Sequence, residues 1–391
     1  MQISQRALRM AESATMAVTG RAAQLRREGV DVVSFGAGEP DFDTPDHVKR
    51  AAIDALQGGQ TGYAAPASGI VPLKTAIVDA LARDAGLHYR SDQLIVTCGG
   101  KEALFLAFAA ILDPGDEVIV PAPYWVSFPE QVALCDGVPV IVEGSPQNDY
   151  KLTPDQVAAA LSDRTRAFVF NSPSNPGGFV YSPEEAAAIA EVLAGSEVIV
   201  LADEIYDQLV FGGASFANFA SLSDDAYART VTFNASSKTY AMTGWRLGFA
   251  AGPAEIIGAM AKIQTQTTSG ACNFTQFGYA AALAGDQAIV AERREEFARR
   301  GRYCFERLNA MPGVTCPRPQ GAFYVLPDVS ANYSRLGVAG SVEFAQRLLE
   351  EGRVAVVPGE AFGMDATVRL SFATDMETIA RGLDRVAEFL A

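Results

Sequence analysis

The chain is poor in histidine and cysteine, and this scarcity excludes several classes of site. Of its 391 residues only two are histidines, His47 and His88, and five are cysteines, none of which form a C-x-x-C pair. We therefore expect no histidine-rich metal centre, structural zinc site or disulfide framework, and a reducing compartment fits the odd cysteine count. A Ser-His-Asp triad would have to use one of these two histidines.

Positive charge and long hydrophobic runs are scarce as well. Lys and Arg total 31 against 46 Asp and Glu, and the net charge of −15 argues against binding to nucleic acid or to an anionic membrane. No apolar run reaches the roughly 20 residues that span a bilayer, and the N-terminus lacks the apolar core of a secretory signal. We expect a cytoplasmic protein of about two domains, whose 49% apolar residues can supply a large core.

Short β-branched runs alternate with helical patterns over the first three quarters of the chain. The β-branched runs lie at 93–97, 117–120, 138–142, 166–170, 197–201, 230–233 and 246–250. The helical patterns lie at 45–57, 70–85, 101–112, 154–161 and 183–194. Because the runs are apolar throughout, they are typical of a sheet that is covered on both faces. This order predicts an α/β fold with a mostly parallel seven-stranded sheet flanked by helices.

From about residue 285 the pattern becomes that of a smaller α+β unit. A long charged helix at 291–311 comes first, followed by strands at 321–326, 353–357 and 367–372 and helices at 341–351 and 375–390. We predict a large domain over 45–284 and a small domain made of 1–44 together with 285–391.

Chemistry-bearing residues follow five of the predicted strands. In open α/β sheets, ligands bind at the carboxyl ends of the strands. The residues found there are Gly99, Gly100 and Lys101, then Trp125, then Asn175, then Asp203 and Tyr206, then Lys238 and Arg246. Glycines before a helix offer N–H groups to a phosphate, an aromatic ring stacks on a planar ligand, and a buried carboxylate needs a cationic partner. A desolvated lysine is a nucleophile that forms Schiff bases.

Each of these features also has a purely structural explanation. The glycine pair would make a plain turn, Trp125 would fill the core, Asp203 would cap a helix, and Lys238 would be solvated. Taken together they match a phosphorylated aromatic aldehyde with a basic ring nitrogen, which describes pyridoxal phosphate. The chain contains no G-x-x-x-x-G-K-[ST] loop and no G-x-G-x-x-G after the first strand, so a P-loop or nicotinamide enzyme is not indicated.

Several motifs then identify a family resemblance that spans nearly the whole chain. They include GAGEPDFDTP (36–45), GYAAPASGI (62–70), DPGDEVIVPAPYWVSFPE (113–130), NSPSNPGG (171–178), SSKTYAMTGWRLGFAAGP (236–253) and VRLSFA (368–373). The sequence resembles the class I aminotransferases, which are fold-type I pyridoxal phosphate enzymes. It is most similar to bacterial aspartate aminotransferases of the branch that also contains prephenate aminotransferases.

This resemblance implies roles for the residues at the strand ends. Lys238 would hold the cofactor as a Schiff base and then act as the general acid and base, and Asp203 would pair with the ring nitrogen. Tyr206 and Asn175 would hydrogen-bond the ring oxygen, and Trp125 would stack on the ring. The residues implied around the phosphate are Gly99, Gly100, Lys101, Ser236, Arg246 and, from the partner subunit of a homodimer, Tyr63.

Substrate recognition is implied at a second set of positions. Arg369 would bind the α-carboxylate as a bidentate fork, with Gly38, Asn175 and Trp125 beside it. Lys101 is our candidate for the distal carboxylate of a dicarboxylic substrate, because it follows the phosphate-binding glycines at the start of a helix. Its simpler interpretation is an exposed lysine of a first helical turn.

The chain departs from the family pattern at a few positions. Gly177 stands where threonine is usual, and Ala235 stands where some relatives carry a phosphate-binding serine. Ala11 and Glu12 stand where prephenate-using relatives carry a lysine, so we do not expect prephenate activity.

The expected function is transamination by a ping-pong mechanism, with L-aspartate and 2-oxoglutarate as the favoured pair. An aminotransferase for aromatic or other amino acids, or a C–S lyase on the same fold, stays open as the alternative. A transcription regulator that binds the same cofactor would need a DNA-binding extension and a basic face.

Overall fold

The computed structural model describes residues 3–10 and 14–391, and its centre is a seven-stranded sheet. The strands of the chain are β1 Val33–Ser34, β2 Leu94–Thr97, β3 Glu117–Ala122, β4 Val138–Glu143, β5 Thr165–Asn171, β6 Ile199–Asp203, β7 Thr230–Ala235, β8 Gly248–Ala251, β9 Tyr324–Val325, β10 Val354–Ala355, β11 Val357–Pro358 and β12 Val368–Ser371. The large sheet has the order β2-β8-β7-β6-β5-β3-β4. Every neighbouring pair is parallel except the two that involve β8.

The sheet is buried on both faces, as its apolar strands predict. Val200 and Leu201 are successive residues of β6, and both are fully buried, in hydrophobic clusters on opposite faces. Side chains alternate between faces along a strand, so neighbouring apolar residues each need a separate core. The edge strand β4 is only half buried, whereas β2 at the other edge is buried throughout.

Helices cover both faces and build the rest of the molecule. They are α1 Gln5–Leu8, α2 Ala14–Arg27, α3 Asp46–Gln57, α4 Val71–Ala85, α5 Gly100–Ile111, α6 Ser127–Leu134, α7 Pro154–Ala160, α8 Pro183–Leu193, α9 Asp224–Arg229, α10 Ser236–Thr239, α11 Ala254–Thr267, α12 Asn273–Ala284, α13 Ala288–Asn309, α14 Tyr333–Leu336, α15 Ser341–Glu350 and α16 Met376–Leu390. Local sequence explains several ends: Ser182 caps α8 in a capping box with Glu185, and Pro183 occupies the first helical position. Along the described ranges, no helix is both long and apolar enough to cross a membrane.

The C-terminal part contains two small sheets, and one of them includes an N-terminal strand. β1 pairs in parallel with β10, while β12 lies between β11 and β9. The predicted strand 353–357 is therefore divided between two sheets. Val33 and Phe35 pack in the same hydrophobic cluster as Phe297 and Leu383. The exact domain boundaries stay a prediction.

Candidate active site

A cavity of about 250 Å³ lies at the carboxyl ends of the parallel strands of the large sheet. Because β2, β5, β6 and β7 run in the same direction, the residues that follow them meet at one edge. The cavity brings together these residues of the sequence-predicted site: Gly38, Gly100, Lys101, Trp125, Asn175, Asp203, Tyr206, Lys238 and Arg369.

Lys238 lies on the short helix α10, directly after β7, and faces into this cavity. Its Nζ donates a hydrogen bond to the carbonyl oxygen of Gly38 at 2.5 Å. Burial lowers the pKa of the Lys238 amine to about 8, the nearby Glu39 carboxylate partly opposes this, and the positive charge of Arg369 adds to it. An amine with a pKa of about 8 is uncharged in about a tenth of the molecules at pH 7, far more than an ordinary lysine, and the uncharged form is the nucleophile and proton acceptor.

Asp203 is the last residue of β6 and is buried, with 6% of its surface exposed. Its Oδ1 accepts a hydrogen bond from the backbone N–H of Ile205 at 3.3 Å, and among the described residues no cationic side chain forms an ion pair with it. Burial raises the pKa of the Asp203 carboxyl to about 7. A buried acid in this state is stabilised by a cationic group that enters the cavity.

Arg369 lies on β12, is 1% exposed, and projects into the cavity from the small sheet. Its Nη1 donates to Oδ1 of Asn175 at 2.9 Å, and its Nη2 donates to the carbonyl oxygen of Gly36 at 3.0 Å. The guanidinium lies 4.5 Å from the ring centroid of Tyr324 and 5.1 Å from that of Phe362. Within the described part of the chain, Nε of Arg369 is a buried donor that has no partner. The fork is therefore preorganised for an incoming carboxylate.

Beside the cavity, the start of α5 and the side chain of Arg246 form a place suited to an anion. Gly99 precedes α5 with φ of +91°, and a Cβ there would lie 2.5 Å from Nη2 of Arg246. Arg246 itself donates to the carbonyl oxygens of Thr243 at 2.9 Å and Cys98 at 3.3 Å. The first N–H groups of α5 and the Arg246 guanidinium therefore lie side by side, an arrangement that binds phosphate.

Lys101 and Trp125 form one wall of the cavity. Nζ of Lys101 lies 5.0 Å from the ring centroid of Trp125. Burial and the charge of Arg246 lower the pKa of the Lys101 amine. The ammonium is thus inside the cavity mouth, although much of its side chain is exposed.

Four residues of the predicted site do not line the cavity: Gly99 and Arg246, described above, and Ser236 and Tyr63. Ser236 is fully buried, and its hydroxyl donates to the carbonyl oxygen of Leu247 at 3.2 Å, because the start of α10 turns this side chain into the protein interior. Tyr63 is 88% exposed on the surface of the chain. Ala11 and Glu12, on which the expectation about prephenate rests, lie outside the described residues.

The structure adds cavity residues that sequence reasoning missed. Tyr324 lines the cavity, and its hydroxyl oxygen is 3.0 Å from that of Tyr206. Asn171 ends β5, donates from Nδ2 to the Asp203 carbonyl at 3.0 Å, and accepts from the Asn175 N–H at 3.0 Å. Asn171 could have been found as the first polar residue after the predicted strand 166–170. Tyr324 could not, because the pairing of β9 with β12 brings it to the site.

Known proteins share this architecture over their whole length. The family model for aminotransferase class I and II matches residues 30–386. The chain belongs to this aminotransferase family. It is 44% identical to an aspartate aminotransferase of Geobacillus stearothermophilus over 390 residues, covering 100% of this chain and 99% of that one. An aspartate/prephenate aminotransferase of Cereibacter sphaeroides is 46% identical over 389 residues, covering 98% and 97%.

Solved aminotransferase structures agree with the fold. The aspartate aminotransferase from Thermus thermophilus with maleate superposes with a TM-score of 0.94 at 44% identity, covering 100% of both chains. The Rhizobium meliloti enzyme superposes with a TM-score of 0.95 at 41% identity, covering 99% of this chain and 98% of that chain. The predicted α/β fold of type I aminotransferases is thereby confirmed.

Aminotransferases of this family depend on pyridoxal phosphate, and the cavity fits that cofactor. The unpaired buried acid Asp203 matches a basic ring nitrogen, and the desolvated amine of Lys238 matches an aldehyde. The guanidinium of Arg246 lies so close to Gly99 that a Cβ would not fit there. This contact keeps Arg246 beside the N-terminus of α5, where the two can bind a phosphate together.

Proposed function

We propose that this aminotransferase transfers the amino group of L-aspartate to 2-oxoglutarate in two half-reactions that use the same cavity. The observation that carries the proposal is the convergence of Lys238, Asp203 and Arg369 on one cavity of the family's fold. When bound, pyridoxal phosphate supplies an aldehyde that condenses with amines and a ring that accepts electrons from the substrate α-carbon.

Each residue of the site has a role toward the cofactor that follows from its chemistry. Lys238 binds the cofactor and moves a proton with its Nζ, for which a pKa of about 8 is suited near neutral pH. Asp203 in its ionised form holds a proton on the ring nitrogen. Asn175 and Tyr206 orient the ring oxygen, and Trp125 covers the ring. The backbone N–H groups of Gly99, Gly100 and Lys101 and the guanidinium of Arg246 bind the phosphate.

Substrate recognition rests on cations at two places of the cavity. Arg369 binds the α-carboxylate, and its position between the Tyr324 and Phe362 rings keeps the guanidinium in one orientation. Lys101 binds the distal carboxylate of aspartate or 2-oxoglutarate. The lowered pKa of Lys101 supports a partly desolvated ammonium, whose attraction for a carboxylate is stronger than in bulk water.

The working unit is a homodimer in the cytoplasm. Tyr63 is 88% exposed and lies in a glycine- and proline-containing loop, so its hydroxyl is available to the phosphate of a partner subunit. Exposed apolar residues near it in sequence, Ile53, Leu56 and Val71, supply surface for such an interface.

Prephenate or aromatic amino acids form the alternative substrate class. The Cereibacter sphaeroides relative is named an aspartate/prephenate aminotransferase. Ala11 and Glu12 stand where prephenate-using relatives carry a lysine, and the absence of that lysine favours aspartate here.

A stopped-flow panel tests this proposal. Purified protein is loaded with pyridoxal phosphate and treated with borohydride, which fixes the cofactor to the lysine that holds it. Peptide mapping should then find the cofactor on Lys238. Half-reaction rates are then measured with aspartate, glutamate, phenylalanine and, in the reverse direction, prephenate. Lys238→Ala should bind the cofactor but lose at least ~10³-fold in turnover. A label on another lysine, or aspartate no faster than phenylalanine, would contradict the proposal.

A further inference from the structure

We infer that Tyr324 is a positioning residue that orients the hydroxyl of Tyr206 toward the cofactor ring oxygen and links it to Arg369. The inference rests on the proposed function. Its basis is a pair of buried hydroxyls: the oxygens of Tyr206 and Tyr324 are 3.0 Å apart, and the two residues are 2% and 1% exposed. Each hydroxyl is the hydrogen-bond partner of the other within the described structure.

The direction of this hydrogen bond follows from proton counting. Each hydroxyl carries one proton, and the ionised ring oxygen of the cofactor can only accept. Tyr206 must therefore donate to the ring oxygen, and Tyr324 must donate to Tyr206. Burial raises the pKa of both phenols, so both remain protonated near neutral pH.

The guanidinium of Arg369 lies against Tyr324 and strengthens its hydroxyl as a donor. It lies 4.5 Å from the centroid of the Tyr324 ring, and its positive charge opposes the rise in the pKa of both hydroxyls. A more acidic hydroxyl donates a stronger hydrogen bond. The resulting chain begins with the cation–π contact of Arg369 on Tyr324 and continues by hydrogen bonds through Tyr206 to the ring oxygen, and these two hydrogen bonds strengthen one another.

The surrounding structure holds this chain in place. Tyr324 lies on β9, opposite Ser371 of β12, the strand that carries Arg369. The rings of Tyr206 and Tyr324 meet edge to face at 86° with centroids 5.9 Å apart. Asp203 also acts on the pair by raising the pKa of Tyr206, and Nζ of Lys238 lies 5.9 Å from the ring centroid of the adjacent Phe323.

A substrate carboxylate bound to Arg369 would therefore change the hydrogen bond that the ring oxygen receives from Tyr206. Neutralising the guanidinium weakens Tyr324 as a donor, which weakens the hydrogen bond from Tyr206. A hydrogen bond to the ring oxygen favours the more negative, deprotonated form of the bound cofactor and lowers its pKa. Occupation of Arg369 should accordingly raise the pKa of the bound cofactor, partly through Tyr324.

The test is a pH titration of the visible absorbance of the holoenzyme. Tyr324→Phe removes the hydroxyl and keeps the ring over Arg369, and we expect the pKa of the bound cofactor to rise by about 0.5. Tyr206→Phe should raise it further, and the double variant should titrate like Tyr206→Phe alone. Tyr181→Phe is the matched control, because it deletes a buried hydroxyl outside the cavity, bonded to the Leu152 N–H, and should not move the titration.

Maleate, a dicarboxylate without an amino group, tests the link to Arg369. Maleate should raise the pKa of the bound cofactor in the wild type and raise it less in Tyr324→Phe, while its dissociation constant changes by no more than about twofold. Replacing Tyr324 with 3-fluorotyrosine keeps the hydroxyl but makes it more acidic. It should therefore donate a stronger hydrogen bond and lower the pKa of the bound cofactor.

The outcomes separate this inference from the proposed function. If the wild type develops no visible absorbance with pyridoxal phosphate, the proposed function fails. If the wild type titrates normally, three results would overturn the inference. The pKa of the bound cofactor in Tyr324→Phe could equal that of wild type, or the pKa shifts of Tyr324→Phe and Tyr206→Phe could add in the double variant. Maleate could also raise the pKa equally in Tyr324→Phe and wild type.

Discussion

At the scale of single residues, Asp203 makes the stability of the cofactor-free protein depend on pH. Its carboxyl has a pKa near 3.8 in the unfolded chain and about 7 when buried. A carboxyl raised in this way favours the folded state fully below pH 4, and this contribution is lost as the pH rises through about 7.

We therefore expect Asp203→Asn to gain stability relative to wild type as the pH rises from 4 to 7, by about 4 kcal/mol at most. The measurement is urea unfolding of both proteins, without cofactor, at several pH values between 4.5 and 8. Curves of stability against pH that run parallel would contradict the burial of an unpaired acid. In the loaded enzyme the same substitution should slow the aspartate half-reaction by several orders of magnitude.

Lys101 is the residue at which substrate choice can be tested. Removal of its charge in Lys101→Ser should cost ~2–4 kcal/mol of transition-state binding for aspartate and little for phenylalanine. The kcat/KM ratio of aspartate over phenylalanine should thus fall at least ~30-fold. Lys101→Arg is the matched control that keeps the charge. A ratio equal to wild type would assign the distal carboxylate to another residue, such as one from the partner subunit.

At the scale of elements, the junction of β2 with α5 determines the phosphate site. Gly99 has φ of +91°, and an added Cβ would displace Arg246. We expect Gly99→Ala to weaken cofactor binding at least ~10-fold, because strain of ~1–3 kcal/mol is joined by movement of the guanidinium.

A second glycine separates the effect of backbone strain from the effect of moving the Arg246 guanidinium. Gly115 has φ of +94°, and a Cβ there would meet no atom within 4 Å. Gly115→Ala should lower stability through backbone strain alone and leave the cofactor dissociation constant unchanged. If both variants bind the cofactor equally well, Arg246 does not depend on Gly99.

At the scale of the whole molecule, the exposed Tyr63 requires a second subunit for its proposed role. Tyr63→Phe should raise the dissociation constant of the cofactor, and Lys238→Ala should be inactive. After the two variants exchange subunits, one site of each mixed dimer would combine an intact Lys238 with an intact Tyr63 from the partner. Activity at limiting cofactor should therefore recover. No recovery, or a fully active monomer in sedimentation, would contradict a role across the interface.

Local patterns predicted most of the large sheet, because buried strands are apolar runs bounded by polar residues. The predicted strand at 166–170 corresponds to β5 at Thr165–Asn171, and the predicted helix 70–85 to α4 at Val71–Ala85. The helices α2, α11 and α12 were not predicted, and the run 353–357 was assigned to one strand rather than two. Their limits depend on contacts with distant segments, which a local pattern does not contain.

For the site, the sequence by itself determined which chemical groups are present and that they follow strand ends, because the periodicity of apolar residues locates the strands. Only the tertiary structure decided how far each group is removed from water. Burial moves the pKa of Asp203 and Lys238 toward neutrality, and it arises from segments far apart in the chain. The same holds for Ser236, which faces the interior, and for Tyr324, which reaches Tyr206 across 118 positions because β9 and β12 pair beside the cavity.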